Sequence, residues 1–138
     1  MPEPATRDSY YRSLEAQRDL PAGFTGSTRS LEFASPERGG DESFSMNLAL
    51  IAADEPLNGA AAVTTTNRFP GAPVLLTREI FGSGRLPAGV VINNKVANVA
   101  VPGGLDHARR LTDELVRLSD RCPWLSLSTG VIGWRLPV

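Results

Sequence analysis

Among its 138 residues the chain has one cysteine, Cys122, and one histidine, His107. A single thiol excludes an internal disulfide and any cysteine-rich metal site. With no Cys/His spacing to pair it with a base, Cys122 reads as a packing residue. Charge of one sign is also lacking: 14 basic residues stand against 15 acidic ones, for a net charge of −1. No electrostatic footprint for nucleic acid or an anionic membrane follows from that balance. Apolar stretches such as residues 59–63 and 89–92 are far too short to span a bilayer. The first twenty residues mix acids and bases and contain no apolar h-region, which argues against a secretory signal or a transit peptide. A cytoplasmic location is the expectation. Repeats and low-complexity segments are lacking too.

What is present is an ordinary globular composition, 41% hydrophobic and 21% charged, at the size of one domain. Residues 1–20 read as an arm or amphipathic helix with Tyr10, Leu14 and Gln17 on one side, ended by Pro21. Residues 21–138 read as the domain body. Within it, residues 27–35 alternate, with Leu31 and Phe33 on one face, and the glycine- and charge-rich residues 36–43 form a turn. The run "MNLALIAA" (46–53) predicts a strand buried on both faces. The β-branched run "AAAVTTTN" (60–67) predicts a second strand returning from the turn before it. Residues 72–81 predict a helix with Pro73 in its first turn and Gly82 at its end. Residues 88–94 predict another strand. Leu105, Ala108, Leu111, Leu115 and Leu118 recur at threes and fours, predicting a helix over 103–120. A last strand and turn follow in "WLSLSTGVIG" (124–133). The mixture predicts an α/β (α+β) layered sandwich with a mixed sheet and flanking helices.

The catalytic inventory is thin. His107 lies in the first turn of an amphipathic helix, where a surface or capping role suits it. No acidic cluster has metal-ligand spacing, so no metal is expected. Three polar strand ends stand out instead. In "TTTNR" (64–68), three hydroxyls precede Asn67 and Arg68. In "VINNKVAN" (91–98), an apolar strand opens into three asparagines and Lys95, residue types that accept unusual backbone angles and orient small polar ligands. In "STGVIG" (128–133), Thr129 and Gly130 could aim a hydroxyl and a backbone N–H at one point, as an oxyanion hole does. On pattern alone that last stretch also reads as a structural turn.

Taken in order, "MNLALIAADEPLNGAAAVTTTNRFPGAPVLLTREI", "GVVINNKVAN" and "LSLSTGVIGWRLPV" resemble the amino-terminal half of the ornithine acetyltransferases, the glutamate N-acetyltransferases of the cyclic arginine pathway. The resemblance covers roughly residues 21–137 and implies the layered fold shared with self-processing aminopeptidases of the DmpA type. It implies acetyl transfer from N-acetylornithine to glutamate, without a cofactor, by a threonine freed when the precursor cuts itself into α and β chains. Carried over, the oxyanion hole falls on Thr129 and Gly130, so Thr129 is not the nucleophile. Asn67, Arg68 and Asn98 become candidate substrate contacts. The family's "SGNANACTG" segment reads here "NNKVANVAVPG": the first asparagine of Asn-Ala-Asn is Val96, while Asn98 remains. No Ala-Thr-Met-Leu-like processing site occurs in these residues. The expected partner is therefore a β half carrying the nucleophile, in a hetero-oligomer, with the chain inactive alone. Two alternatives stay open: a non-catalytic binding or assembly module of the same fold, and an acyltransferase or amidase of secondary metabolism with another substrate.

Overall fold

The computed structural model describes residues 6–121 and 123–138 and places them in one mixed four-stranded sheet with helices against it. Cys122 lies outside the described residues. The arm forms helix α1 (Arg7–Glu15), started by a capping box in which Thr6 and Ser9 bond each other's backbone and side chains. None of its residues is buried, Tyr10 and Leu14 included.

Strands β1 (Phe24–Ala34) and β2 (Ser43–Ala53) form an antiparallel hairpin with eleven paired positions, from Phe24 opposite Ala53 to Ala34 opposite Ser43. The 36–43 segment closes it through a short 3₁₀ turn, Pro36–Arg38, followed by two glycines. β2 pairs antiparallel with β3 (Gly89–Asn93), and β3 pairs parallel with β4 (Trp124–Ser128), giving the order β1-β2-β3-β4. Because successive strand residues alternate faces, Leu31, Phe33, Phe44 and Met46 share one face. There they form an apolar cluster with Val96, Leu111, Trp134 and Leu136. The rings of Phe44 and Trp134 stand 4.7 Å apart.

Helix α2 (Ala72–Gly82) carries Pro73 in its first turn, where the missing N–H has no helical partner to lose. Helix α3 (Gly104–Ser119) is the crossover that lets β4 run parallel to β3. Ala72, Leu76 and Ile80 of α2 and Ala108 of α3 form a second cluster, joined by Leu105 and Leu125. At the far end of the α3 stripe, Leu118 is 72% exposed, and buried Thr112 takes an inward place instead. The Thr112 hydroxyl makes this possible by bonding back to the Ala108 and Arg109 carbonyls.

Two expectations are corrected. Residues 60–67 are not a strand: they are exposed and irregular, with Val63 fully exposed. β-branched composition suits a pleated surface but does not by itself pair a segment, and the four strands form their ladders without residues 60–67. The 46–53 run is a strand, yet Leu48 to Ala52 are only half-buried, with Met46 and Ala53 alone covered.

Candidate functional site

The parallel pairing of β3 and β4 brings their carboxyl ends together, and this positions the polar residues that follow each strand. Asn93, 1% exposed, is the junction. Its carbonyl accepts the Thr129 N–H at 3.0 Å, and its Oδ1 accepts the Ser128 hydroxyl at 2.6 Å. Its Nδ2 donates to the carbonyls of Val96 at 2.7 Å and Asn94 at 3.1 Å. Asn94 holds the neighbouring strand, accepting the Asn47 N–H on Oδ1 at 2.8 Å and donating its own N–H to the Asn47 carbonyl. Beyond the strands the two segments stay side by side. Val131 N–H reaches the Lys95 carbonyl at 2.8 Å, Ala97 N–H the Val131 carbonyl at 3.0 Å, and Gly133 N–H the Val99 carbonyl at 2.9 Å.

Thr129 and Gly130 sit at the exposed lip of this ladder. Gly130 has φ +133°, and a Cβ there would lie 2.2 Å from the Lys95 carbonyl carbon and 2.3 Å from its oxygen. Only glycine fits so close a backbone approach. The Thr129 N–H is committed to Asn93, whereas the Thr129 hydroxyl and the Gly130 N–H have no partner among the described residues. Two neutral donors on adjacent residues can stabilise a developing oxyanion. Among the described residues, no titratable side chain bonds to either residue.

The other candidates lie elsewhere. Asn98 is wholly buried: its Nδ2 donates to the Gly104 carbonyl at 2.9 Å, its carbonyl accepts the Ala72 N–H, and its Oδ1 has no partner among the described residues. It thereby joins the starts of α2 and α3, and it lines a cavity of about 560 Å³ with Phe69, Leu75, Val101 and Leu105. Asn67 makes a local turn, its N–H bonded to Thr65 Oγ1 and its Oδ1 accepting the Phe69 N–H at 2.9 Å. Arg68 beside it is exposed. No hydrogen bond or ion pair joins Asn67 or Arg68 to the Thr129 corner. Instead, the 64–67 segment is fastened to α2, where Arg78 donates to Thr64 Oγ1 and to the Thr65 carbonyl. His107 packs its Nδ1 inward, without a partner among the described residues. A cavity of about 290 Å³ between α2 and α3 is edged by Glu79 and Arg109. Both carboxylate oxygens of Glu79 accept from Arg109 at 2.9 Å, and these bonds, against some desolvation, push the guanidinium higher still.

The asparagine beside the corner is therefore Asn93, which residue type alone did not separate from Asn94 and Asn98. A signal was available: Asn93 continues the alternation of the β3 strand and so faces inward, unlike a turn residue.

Comparison with known proteins gives a consistent picture. A model described as the ArgJ family matches residues 34–138. The mitochondrial arginine biosynthesis bifunctional protein ArgJ of Uncinocarpus reesii is 42% identical over 107 residues, covering 67% of this chain and 22% of that protein. Its counterpart in Talaromyces marneffei is 43% identical over 101 residues, covering 67% and 21%. The chain thus spans about a fifth of the length of the curated relatives it matches. The crystal structure of the bifunctional protein argJ from Bacillus halodurans superposes with a TM-score of 0.60 at 23% identity, over 82% of this chain and 65% of that one, and shows the shared fold. Ornithine acetyltransferase from Mycobacterium tuberculosis, solved with ornithine, gives a TM-score of 0.59 at 31% identity, over 86% and 61%.

Proposed function

Because the chain belongs to the ArgJ family, we propose that it is the α-side portion of an ornithine-acetyltransferase-like enzyme. In this reading it supplies the oxyanion hole, Thr129 and Gly130, for acetyl transfer from N-acetylornithine to glutamate. The threonine nucleophile comes from a β half outside these residues. The observation that carries the reading is the lip of the β3–β4 ladder, where the Thr129 hydroxyl and the Gly130 N–H are without a partner among the described residues while the Thr129 N–H is held by Asn93. Such donors stabilise negative charge on an acyl oxygen without making or breaking a bond themselves. The half-covered β2 and the exposed 60–67 segment support a second half that packs against this one.

The test is to purify the chain alone and together with the β half, and to assay acetyl transfer from N-acetylornithine to glutamate. Activity is expected only in the combination. Activity in the isolated chain, or none in the combination, overturns the proposal. A second reading, a non-catalytic assembly module of the same fold, draws support from Val96. That side chain is 0% exposed within the apolar cluster, at a place where the family pattern has a polar amide. In that case Thr129→Val leaves function untouched.

A further inference from the structure

Residues with a side chain seldom adopt left-handed backbone, yet three that do so, Lys95 (φ +71°), Asn98 (φ +51°) and Ala100 (φ +58°), fall within six positions. Asparagine tolerates this conformation, and Asn98 is anchored by its amide. Lys95 has no such local excuse. The N–H of Val96 donates to the carbonyl of Asn94 at 2.9 Å, closing a three-residue turn around Lys95. With positive φ at its centre this is the γ-turn of the rare and strained kind. Strain of that type persists only where surrounding contacts impose it, and it gathers at functional sites.

Those contacts can be named. The Lys95 ammonium stands 5.4 Å from the centroid of the Phe44 ring, a cation–π contact at the edge of the apolar cluster. Its neighbour Val96 is wholly buried in that cluster, which fixes the exit of the turn. The Lys95 carbonyl takes the Val131 N–H at 2.8 Å. The same peptide is the surface against which Gly130 is pressed, where a Cβ would overlap it. The γ-turn and the glycine therefore form a matched pair: the turn sets the Lys95 peptide plane, and that plane sets the direction of the chain at Gly130.

We propose that Lys95 is a positioning residue whose strained γ-turn aims the Gly130 N–H of the oxyanion corner. The catalytic part of this inference rests on the acetyl-transfer reading above, and the positioning part does not. Lys95→Val in the full-length protein disfavours left-handed backbone, whereas Lys95→Gly adopts it freely. Amide hydrogen exchange reads the turn directly. In Lys95→Val the Val131 amide is expected to exchange about tenfold faster, with the β2–β3 ladder amides unchanged, and Lys95→Gly returns it to the wild-type rate. In acetyl transfer by the chain combined with the β half, Lys95→Val is expected to lower kcat about tenfold with KM within about twofold, and Lys95→Gly to recover kcat. Wild-type exchange at Val131 in Lys95→Val, or no recovery by Lys95→Gly, overturns the proposal. Should the wild-type chain combined with the β half transfer no acetyl group, the functional reading fails, and the exchange comparison alone still decides whether Lys95 holds the corner.

Discussion

The buried Oδ1 of Asn93 accepts the hydroxyl of Ser128 at 2.6 Å, tying together the carboxyl ends of two strands 35 residues apart in sequence. Asn93 also binds two carbonyls through Nδ2, so its amide is saturated inside the fold. Asn93→Ala leaves these partners without a mate, and a lost buried polar group costs about 1–3 kcal/mol. Denaturant unfolding of the full-length protein is expected to show that loss, with Ser128→Ala milder because Ser128 is only half-buried.

At the lip, Thr129→Val removes one donor while keeping shape and exposure. Loss of an oxyanion donor lowers kcat by about 10²-fold or more. The unfolding midpoint is expected to stay at the wild-type value. Gly130→Ala should do worse and differently, since its Cβ has no room beside Lys95. Steady-state kinetics together with thermal melts separate the two outcomes.

Gly89 offers a purely structural test away from the lip. A Cβ there would lie 2.5 Å from both the Ile51 carbonyl oxygen and Cζ3 of Trp124. Gly89→Ala is therefore expected to destabilise by about 1–3 kcal/mol through overpacking. Adding Trp124→Leu removes the ring but not the Ile51 backbone, so chemical denaturation should show incomplete recovery in the double variant.

Acid should loosen the link between the hairpin turn and the C-terminal segment. Burial works to raise the Glu37 carboxyl, but hydrogen bonds from its own N–H, the Ser35 hydroxyl and Arg135, with the Arg135 charge, hold it below its ordinary value of 4.5. A carboxyl lowered in the folded state adds stability above its unfolded value and loses it as pH falls through the folded one. The melting temperature of the wild-type protein should thus fall more steeply below about pH 4.5 than that of Glu37→Gln. Parallel slopes would contradict the assignment.

Much of this fold is legible in the residues themselves. The spacing of Leu105, Ala108, Leu111 and Leu115 marks α3, and Pro73 with Gly82 brackets α2 to within a residue. Residues 60–67 show where pattern fails. Their β-branched content gives a strand's composition, but whether a segment joins a ladder depends on packing elsewhere in the fold, and here the four strands pair without it. That the chain turns at Thr129 and Gly130 was legible, because a glycine follows a polar strand end there. Its support was not: nothing in the identity of Lys95 signals positive φ, and Asn93 differs from Asn94 only by the face on which the pleat places it.

The parallel pairing of β3 and β4 also dictates when the corner can come into being. The β1–β2 hairpin closes through a short turn and can form early, whereas β4 meets β3 only after the whole α3 crossover is in place. Every bond that defines the lip, from Asn93–Thr129 to Val99–Gly133, belongs to that late step. A chain caught part-way through folding would hold most of its sheet without its Thr129–Gly130 corner, so on the proposed reading the donors of the lip are among the last features to form.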